Sequence, residues 1–166
     1  MMIDVLHQLP KGITMYLITW VKTLTSDVLP AVRKRKRQDR TIKESSGSIQ
    51  LDECFRCVPP FMGLKCFSRF SEVKQWTWVE QKAIIRQLIP VLAPLLSAKV
   101  PGAMHCTRAI IDFIFLVQYK THDDETLRFL EQTLYRIDRT KVVFKRFHPI
   151  DKATMKVILT FPSSML

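Results

Sequence analysis

The chain has 166 residues, 47 % of them apolar, and a formal net charge of +11. That is long enough for one domain with a core and too apolar for wholesale disorder. Only four glycines leave few places for the tight turns of a many-stranded sheet, and the charge points to anionic partners, nucleic acid first and an anionic membrane surface second.

In chain order, the opening MMIDVLHQLPKG has an early acid and no sustained apolar run, so no secretory signal is read there. The four cysteines, Cys54, Cys57, Cys66 and Cys106, are then expected to be reduced thiols of the cytosol or nucleus. Ile13 to Leu29 predicts a helix, with Tyr16, Leu17, Trp20, Val21 and Leu24 at helical spacing. Its stretch Met15 to Leu24 is the nearest approach to a membrane span, but Thr19 and Lys22 interrupt it, and no segment is long and apolar enough to cross a bilayer.

Ala31 to Ser48 changes character. Arg33, Lys34, Arg35, Lys36 and Arg37 form an unbroken basic run, followed by Arg40 and Lys43 and closed by Ser45, Ser46, Gly47 and Ser48. Adjacent like charges repel and resist packing, so a solvated helix end or a flexible arm is expected. Its functional reading is a nuclear-import signal or a phosphate-contacting patch; its plainer reading is a charged linker. No aromatics interrupt the run, so base stacking is not indicated.

Cys54-Phe55-Arg56-Cys57 followed by Cys66 could offer zinc ligands only with Cys106 or His105 completing a tetrahedron at irregular spacing. The βαβ context of a redox pair is missing. Buried or incidental thiols are the default, and no metal site is assigned. Pro59, Pro60 and Gly63 make the segment a loop. A helix then opens at Ser71 or is capped by Thr77, with Trp76, Trp78 and Val79 expected in the core or as a helix staple. Ile84, Ile85, Leu88 and Ile89 form its inner stripe. Pro90 and Pro94 are expected to break the chain after Ile89 into short helical pieces.

Pro101 to Phe147 is the most consistent stretch. Ile110, Phe113, Ile114 and Val117 share one helical face, Ile111 and Phe115 flank it, and Asp112 is the one charge between Ile110 and Tyr119. A helix apolar on most sides is covered by neighbours. A second helix follows, with Thr121 and Asp124 at capping-box spacing. Asp123, Asp124 and Glu125 lie at its positive end. Leu127, Leu130, Leu134 and Ile137 form its stripe, while Arg128, Glu131, Gln132 and Arg136 face water. The short link makes the two helices antiparallel neighbours. Beyond Phe147, Val157 to Phe161 has strand-like composition without an evident partner.

The fold class is therefore mainly α: an irregular helical bundle around a central antiparallel hairpin, about 103–119 and 123–139, with a long basic loop or arm at 31–52. The expected units are an N-terminal helical segment (1–30), a basic and serine-rich linker (31–52), a helical domain (53–147) and a tail (148–166). No complete catalytic constellation is visible. His7, His105, His122 and His148 are scattered, and His122 beside Asp123 and Asp124 reads as an ordinary helix N-terminus rather than a metal cluster.

Three stretches go further. His7-Gln8-Leu9-Pro10-Lys11-Gly12 resembles a Leu-His-Gln-Leu-His-Lys-Gly element. Gln75-Trp76-Thr77 resembles a Ser-Gln-Trp-Thr-Gly element. Ala109 to Tyr119, followed by Thr121-His122-Asp123-Asp124-Glu125-Thr126-Leu127, resembles an "RALLDFhYhAQY…H-x-DETL" block. In this order they are similar to the Plavaka-type transposases of fungal mobile elements, in the Kyakuja-Dileera-Zisupton group. The resemblance runs from about Asp4 to Met155 and lapses at the basic run. It implies a nuclear, cut-and-paste DNA transposase with an RNase-H-like core in which three acids hold divalent metal ions for phosphoryl transfer. The chain resembles only a late, helical part of such enzymes. Asp4 could correspond to one acid and the others lie elsewhere, so no cofactor is expected for this chain and autonomous catalysis is not.

There are departures. Pro10 replaces a family His and is expected to stiffen the start of the first helix. Trp78 stands where Gly is usual, and Arg33 to Ser48 looks like additional sequence. Where the family has a Gly-His-Phe-Asn-Phe-Pro-Lys-Leu-His element, this chain has Val157 to Leu166, an expected frameshift product; Met1 falls just before a family element, so the upstream frame is expected to be broken as well. The leading expectation is a truncated, inactive transposase fragment. The other is a small nuclear module that binds nucleic acid through the basic arm, or importin, and protein through the hairpin.

Overall fold

The computed structural model describes residues 3–29 and 46–147, with side chains described for 12–29 and 47–144. The described residues are mainly helical. Six helices follow one another: α1 (Ile3–Val28), α2 (Ser46–Arg56), α3 (Trp78–Leu96), α4 (Pro101–Val117), α5 (Asp124–Thr140) and the short α6 (Val142–Phe147). The basic run and the strand-like stretch Val157 to Phe161 lie outside the described residues.

One hydrophobic core runs through all six helices. Leu17, Val21 and Leu24 of α1 are fully buried, as are Leu51 and Phe55 of α2, Ile84, Leu88 and Leu92 of α3, and Ala103 and Cys106 of α4. Trp20 stacks on Phe144 of α6 at 5.0 Å between ring centroids, which closes the bundle from α1 to its far end. The N-terminal helix thus shares its core with the region from 53 to 147 rather than standing apart.

The expected hairpin is present, and α4 and α5 make the most extensive interhelical contact. Pro101 at the start of α4 suits a position whose N–H has no helical partner. The cap of α5 differs from the expected one. Asp123 is the N-cap and accepts from Thr126 N at 2.8 Å, while Thr126 Oγ1 accepts from Asp123 N at 2.9 Å. Asp123 directly precedes the helix and reaches its third N–H, whereas Thr121 lies two residues further out.

Three other expectations are corrected. Pro90 and Pro94 do not break α3, which continues to Leu96. Their spacing of four places both on the exposed side of the helix, where the carbonyls that lose a backbone donor can turn to water. Pro10 does not mark the start of α1, which begins at Ile3 and runs through it. Residues 46–52, assigned to the basic arm, belong to α2. There Gly47 is buried against α1 so closely that an added Cβ would sit 2.1 Å from Thr25 O. What reads as a flexible Ser-Gly-Ser linker is a helix crossing that only glycine permits.

Between α2 and α3, residues 57–77 contain no helix but are not loose. Phe55, Phe67, Phe70 and Trp76 form an aromatic cluster, with Phe55 and Phe70 stacked at 4.3 Å. Lys22 of α1 reaches over the Phe70 and Trp76 rings and donates to Ser71 O at 3.3 Å and Val73 O at 3.1 Å. Asp52 accepts from the N–H of Ser71 at 2.8 Å and from its hydroxyl at 2.6 Å. Gln87 donates to Lys65 O at 2.8 Å from the far side. Thr77, not Ser71, caps α3, in a capping box with Glu80. Trp76 is buried as expected, but Val79 is exposed.

Candidate functional site

The residues singled out from sequence separate into those the structure describes and those it does not. Asp4 lies on α1, with its side chain outside the described set. Arg33, Lys34, Arg35, Lys36, Arg37 and Arg40 all lie outside it. All four thiols are free: Cys57 and Cys66 exposed, Cys54 half-buried, Cys106 buried. Burial pushes the Cys106 thiol up to about 11, against an opposing hydrogen bond with Thr140, so it behaves as a small apolar side chain. Burial also raises Cys54. Both are poor thiolates. Among the described residues no three His, Cys, Asp or Glu side chains gather as a metal would require, so the structure does not bring Cys54, Cys57, Cys66, Cys106 and His105 to one point. His122 lies beside the Tyr119 ring, and its neighbour Asp123 is engaged in capping.

What the structure does assemble is a shallow groove of about 260 Å³ on the outer side of the hairpin. Its walls are Asp112, Phe115, Leu116 and Tyr119 of α4 and the link, with Phe129, Thr133 and Arg136 of α5. The sequence produces it by a mismatch of stripes. Leu130 and Ile137 turn inward and are buried, and Thr133 is buried between them with its hydroxyl donating to Phe129 O at 2.7 Å. This leaves Phe129 off the leucine stripe, 44 % exposed, and Tyr135 61 % exposed. On α4, Phe115 is 40 % and Tyr119 54 % exposed. Arg108 donates to Asp112 at 2.8 Å along α4, and the Arg139 guanidinium lies over the Tyr135 ring at 5.4 Å. Sequence reasoning placed Phe115 beside the buried face and did not single out Phe129 or Tyr135. Their spacing off the leucine stripe was the available signal.

Charge divides the chain sharply. Seven of its 26 lysines and arginines fall between Arg33 and Lys43, with only Asp39 among them. The hairpin from Pro101 to Thr140 carries five basic and six acidic residues. A chain with a large positive excess therefore has a nearly neutral hairpin, slightly acidic in sum.

Comparison with protein families, curated proteins and solved structures yields no match to this chain. Among the described residues, no helix is long and apolar enough to cross a membrane.

Proposed function

We propose that this chain corresponds to a late, helical part of a Plavaka-type DNA transposase and acts in the nucleus as a DNA-contacting module that does not itself cut DNA. The observation that carries the DNA-contacting role is the concentration of charge from Arg33 to Arg40, five adjacent cations and a sixth close by. Clustered cations gain affinity for a polyanion by releasing its counterions, with no need for base contacts. The resemblance of the elements around His7, Trp76 and Asp123, in family order, supports the lineage. It supplies one candidate acid, Asp4, and a single carboxylate does not hold a two-metal site. Importin is the other partner that such a run suits.

The test is binding of the full chain to a labelled DNA duplex over a series of salt concentrations. Affinity should fall steeply with salt. Replacing Arg33, Lys34, Arg35, Lys36 and Arg37 by alanine should weaken binding and flatten the slope of log K against log salt by about 0.9 for each phosphate that is no longer neutralised. Unchanged affinity and slope in that variant would remove the basic run from the interface. Metal-dependent nicking of DNA by the wild-type chain, abolished in Asp4→Ala, would overturn the non-catalytic reading.

The second reading, a small nuclear binding module of separate origin, is favoured by one specific observation. Helices α1 to α6 close a single core around themselves, as an independently folding unit does. Both readings share the same DNA test. They separate on genomic context, since many near-identical copies between terminal inverted repeats belong to the first and a single expressed copy to the second.

A further inference from the structure

Two thiols share one helical turn where α2 ends. Cys54 is on the helix and Cys57 follows its last residue, yet the Cys57 N–H still donates to Glu53 O at 3.1 Å. We infer that Cys54 and Cys57 are a redox-modification site. They close to a reversible intramolecular disulfide in the presence of a low-molecular-weight disulfide such as oxidised glutathione, and closure loosens the loop from Cys57 to Thr77.

Residues three apart in a helix have Cα atoms about 5 Å from one another, inside the range of roughly 4.4–6.8 Å that a disulfide spans. Their Cβ atoms, at about 5–6 Å, must approach to roughly 3.5–4.5 Å. The chain already tightens in that sense. The Val58 N–H donates to Phe55 O at 3.3 Å, a bond of three-residue spacing, and in such a turn side chains three apart eclipse. Burial first, and then the nearby Cys57 sulfur, raise the Cys54 thiol, as expected of two sulfurs within electrostatic reach.

The two sulfurs differ in access. Cys57 is exposed, while Cys54 is half-buried and packs against the core. Cys57, as its thiolate, attacks one sulfur of oxidised glutathione; a glutathione thiolate leaves and a mixed disulfide remains. Cys54 then gives its proton to water and attacks the Cys57 sulfur, and the second glutathione thiolate leaves. Two electrons pass from the protein thiols to glutathione, which ends as two reduced molecules carrying the two protons. Cys66 is also exposed, but the structure does not gather it with the other two, and it has no fixed place on their helical turn.

Phe55 stands between the two cysteines in sequence. It is fully buried, stacks on Phe70 at 4.3 Å and meets Phe67 at 5.9 Å. Drawing Cys54 and Cys57 together rewinds the turn that carries this ring, and a close-packed interior does not absorb such a shift without cost. Phe67 and Phe70 anchor the loop, so the loop is where the cost falls.

The chain separates its own thiols for analysis. Arg56 stands between Cys54 and Cys57 and Lys65 directly before Cys66, so trypsin places the three on residues 44–56, 57–65 and 66–69. The full chain is treated with a series of oxidised glutathione concentrations, alkylated, unfolded, digested and weighed by mass spectrometry. Residues 44–56 joined to 57–65, with the loss of both thiol hydrogens, should predominate, and dithiothreitol should part them. Cys66→Ser should still form this link, whereas Cys54→Ser should stop at glutathione on Cys57. In limited digestion of the native chain, oxidation should speed cleavage at Lys65, Arg69 or Lys74 severalfold. Dithiothreitol should reverse the gain, and Cys57→Ser should not show it. Glutathione left on Cys57 of the wild-type chain as the end product, a link from 57–65 to 66–69, or a linked chain digested no faster than the reduced one would overturn the inference.

Discussion

The segment from Cys57 to Thr77 and the hairpin from Pro101 to Thr140 are both well ordered parts of one core, but they are ordered by different means. The hairpin is built from short-range signals: Pro101 at the first position of α4, the Asp123 cap, and stripes of three and four residues. The loop has none of these. It is held by partners distant in sequence, with Lys22 and Asp52 contacting it from two helices and Gln87 from a third. Local propensity can specify a helix pair; a stretch without repeating structure needs buried rings and donors to fix each carbonyl. The two regions should therefore fail differently when damaged.

The largest effect is expected from Phe70→Ala. Phe70 is fully buried, stacks on Phe55 and lies under the Lys22 ammonium. Truncation of a buried phenylalanine costs about 3–5 kcal/mol, and here the loss also leaves Lys22 without one of its two aromatic faces. Urea denaturation should show the loss. Limited trypsin digestion should show new cleavage at Lys65, Arg69 or Lys74 before the rest of the chain opens. Ile110→Ala, in the hairpin, should cost about 2–5 kcal/mol without selective cleavage in the loop. Equal cleavage patterns for the two variants would mean that the loop and the hairpin open as one unit.

A smaller effect separates what the sequence makes legible from what it hides. The hairpin, its boundaries to within two residues and the inward stripe of α3 can be read from periodicity because one helix face is enough to determine them. Gly47 cannot be read in this way. In sequence it belongs to a serine-rich linker; in the fold it lets α2 approach the Thr25 carbonyl. The approach depends on residues 22 positions apart, which no local window contains. The groove is hidden for a related reason, since Phe129 becomes conspicuous only once the leucine stripe has chosen its side. Asp4 and the basic run remain as the sequence alone presents them. The pair Gly47→Ala and Gly12→Ala measures the difference directly. Both glycines are in helices, where alanine is intrinsically favoured by roughly 0.5–1 kcal/mol. At Gly12 an added Cβ meets nothing within 4 Å, so the gain should appear as raised stability. At Gly47 the new Cβ would press on backbone, and overpacking of this kind costs about 1–3 kcal/mol. The two substitutions should shift the urea midpoint in opposite directions.

The smallest predicted effect is a difference in how the two regions respond to acid. Glu80 belongs to the loop side: the Lys65 ammonium reaches its carboxylate from the loop, and the Thr77 N–H and hydroxyl each donate to it at 2.9 Å. Lys65 first and then Thr77 hold its pKa down, from 4.5 to about 2. Asp123, at the start of α5, is lowered by the N–H and hydroxyl of Thr126. A carboxyl lowered by folding stabilises the native state above its unfolded pKa, and that stability is lost as pH falls through the folded value. For Glu80 the loss should develop between about pH 4.5 and 2. The contribution is small because the pair is solvent-screened, so it should be read as a change in slope of stability against pH. Glu80→Gln should flatten that slope, and added salt should flatten it in the wild-type chain as well, because the leading partner is an exposed cation in direct contact with the carboxylate, a pairing that salt screens. Asp123→Asn should respond much less to salt, because its partners are the neutral amide and hydroxyl of its own first turn. If salt leaves the Glu80 slope untouched, Lys65 is not the group that holds the carboxylate, and the loop is tied to α3 by the capping box and the Gln87 amide instead.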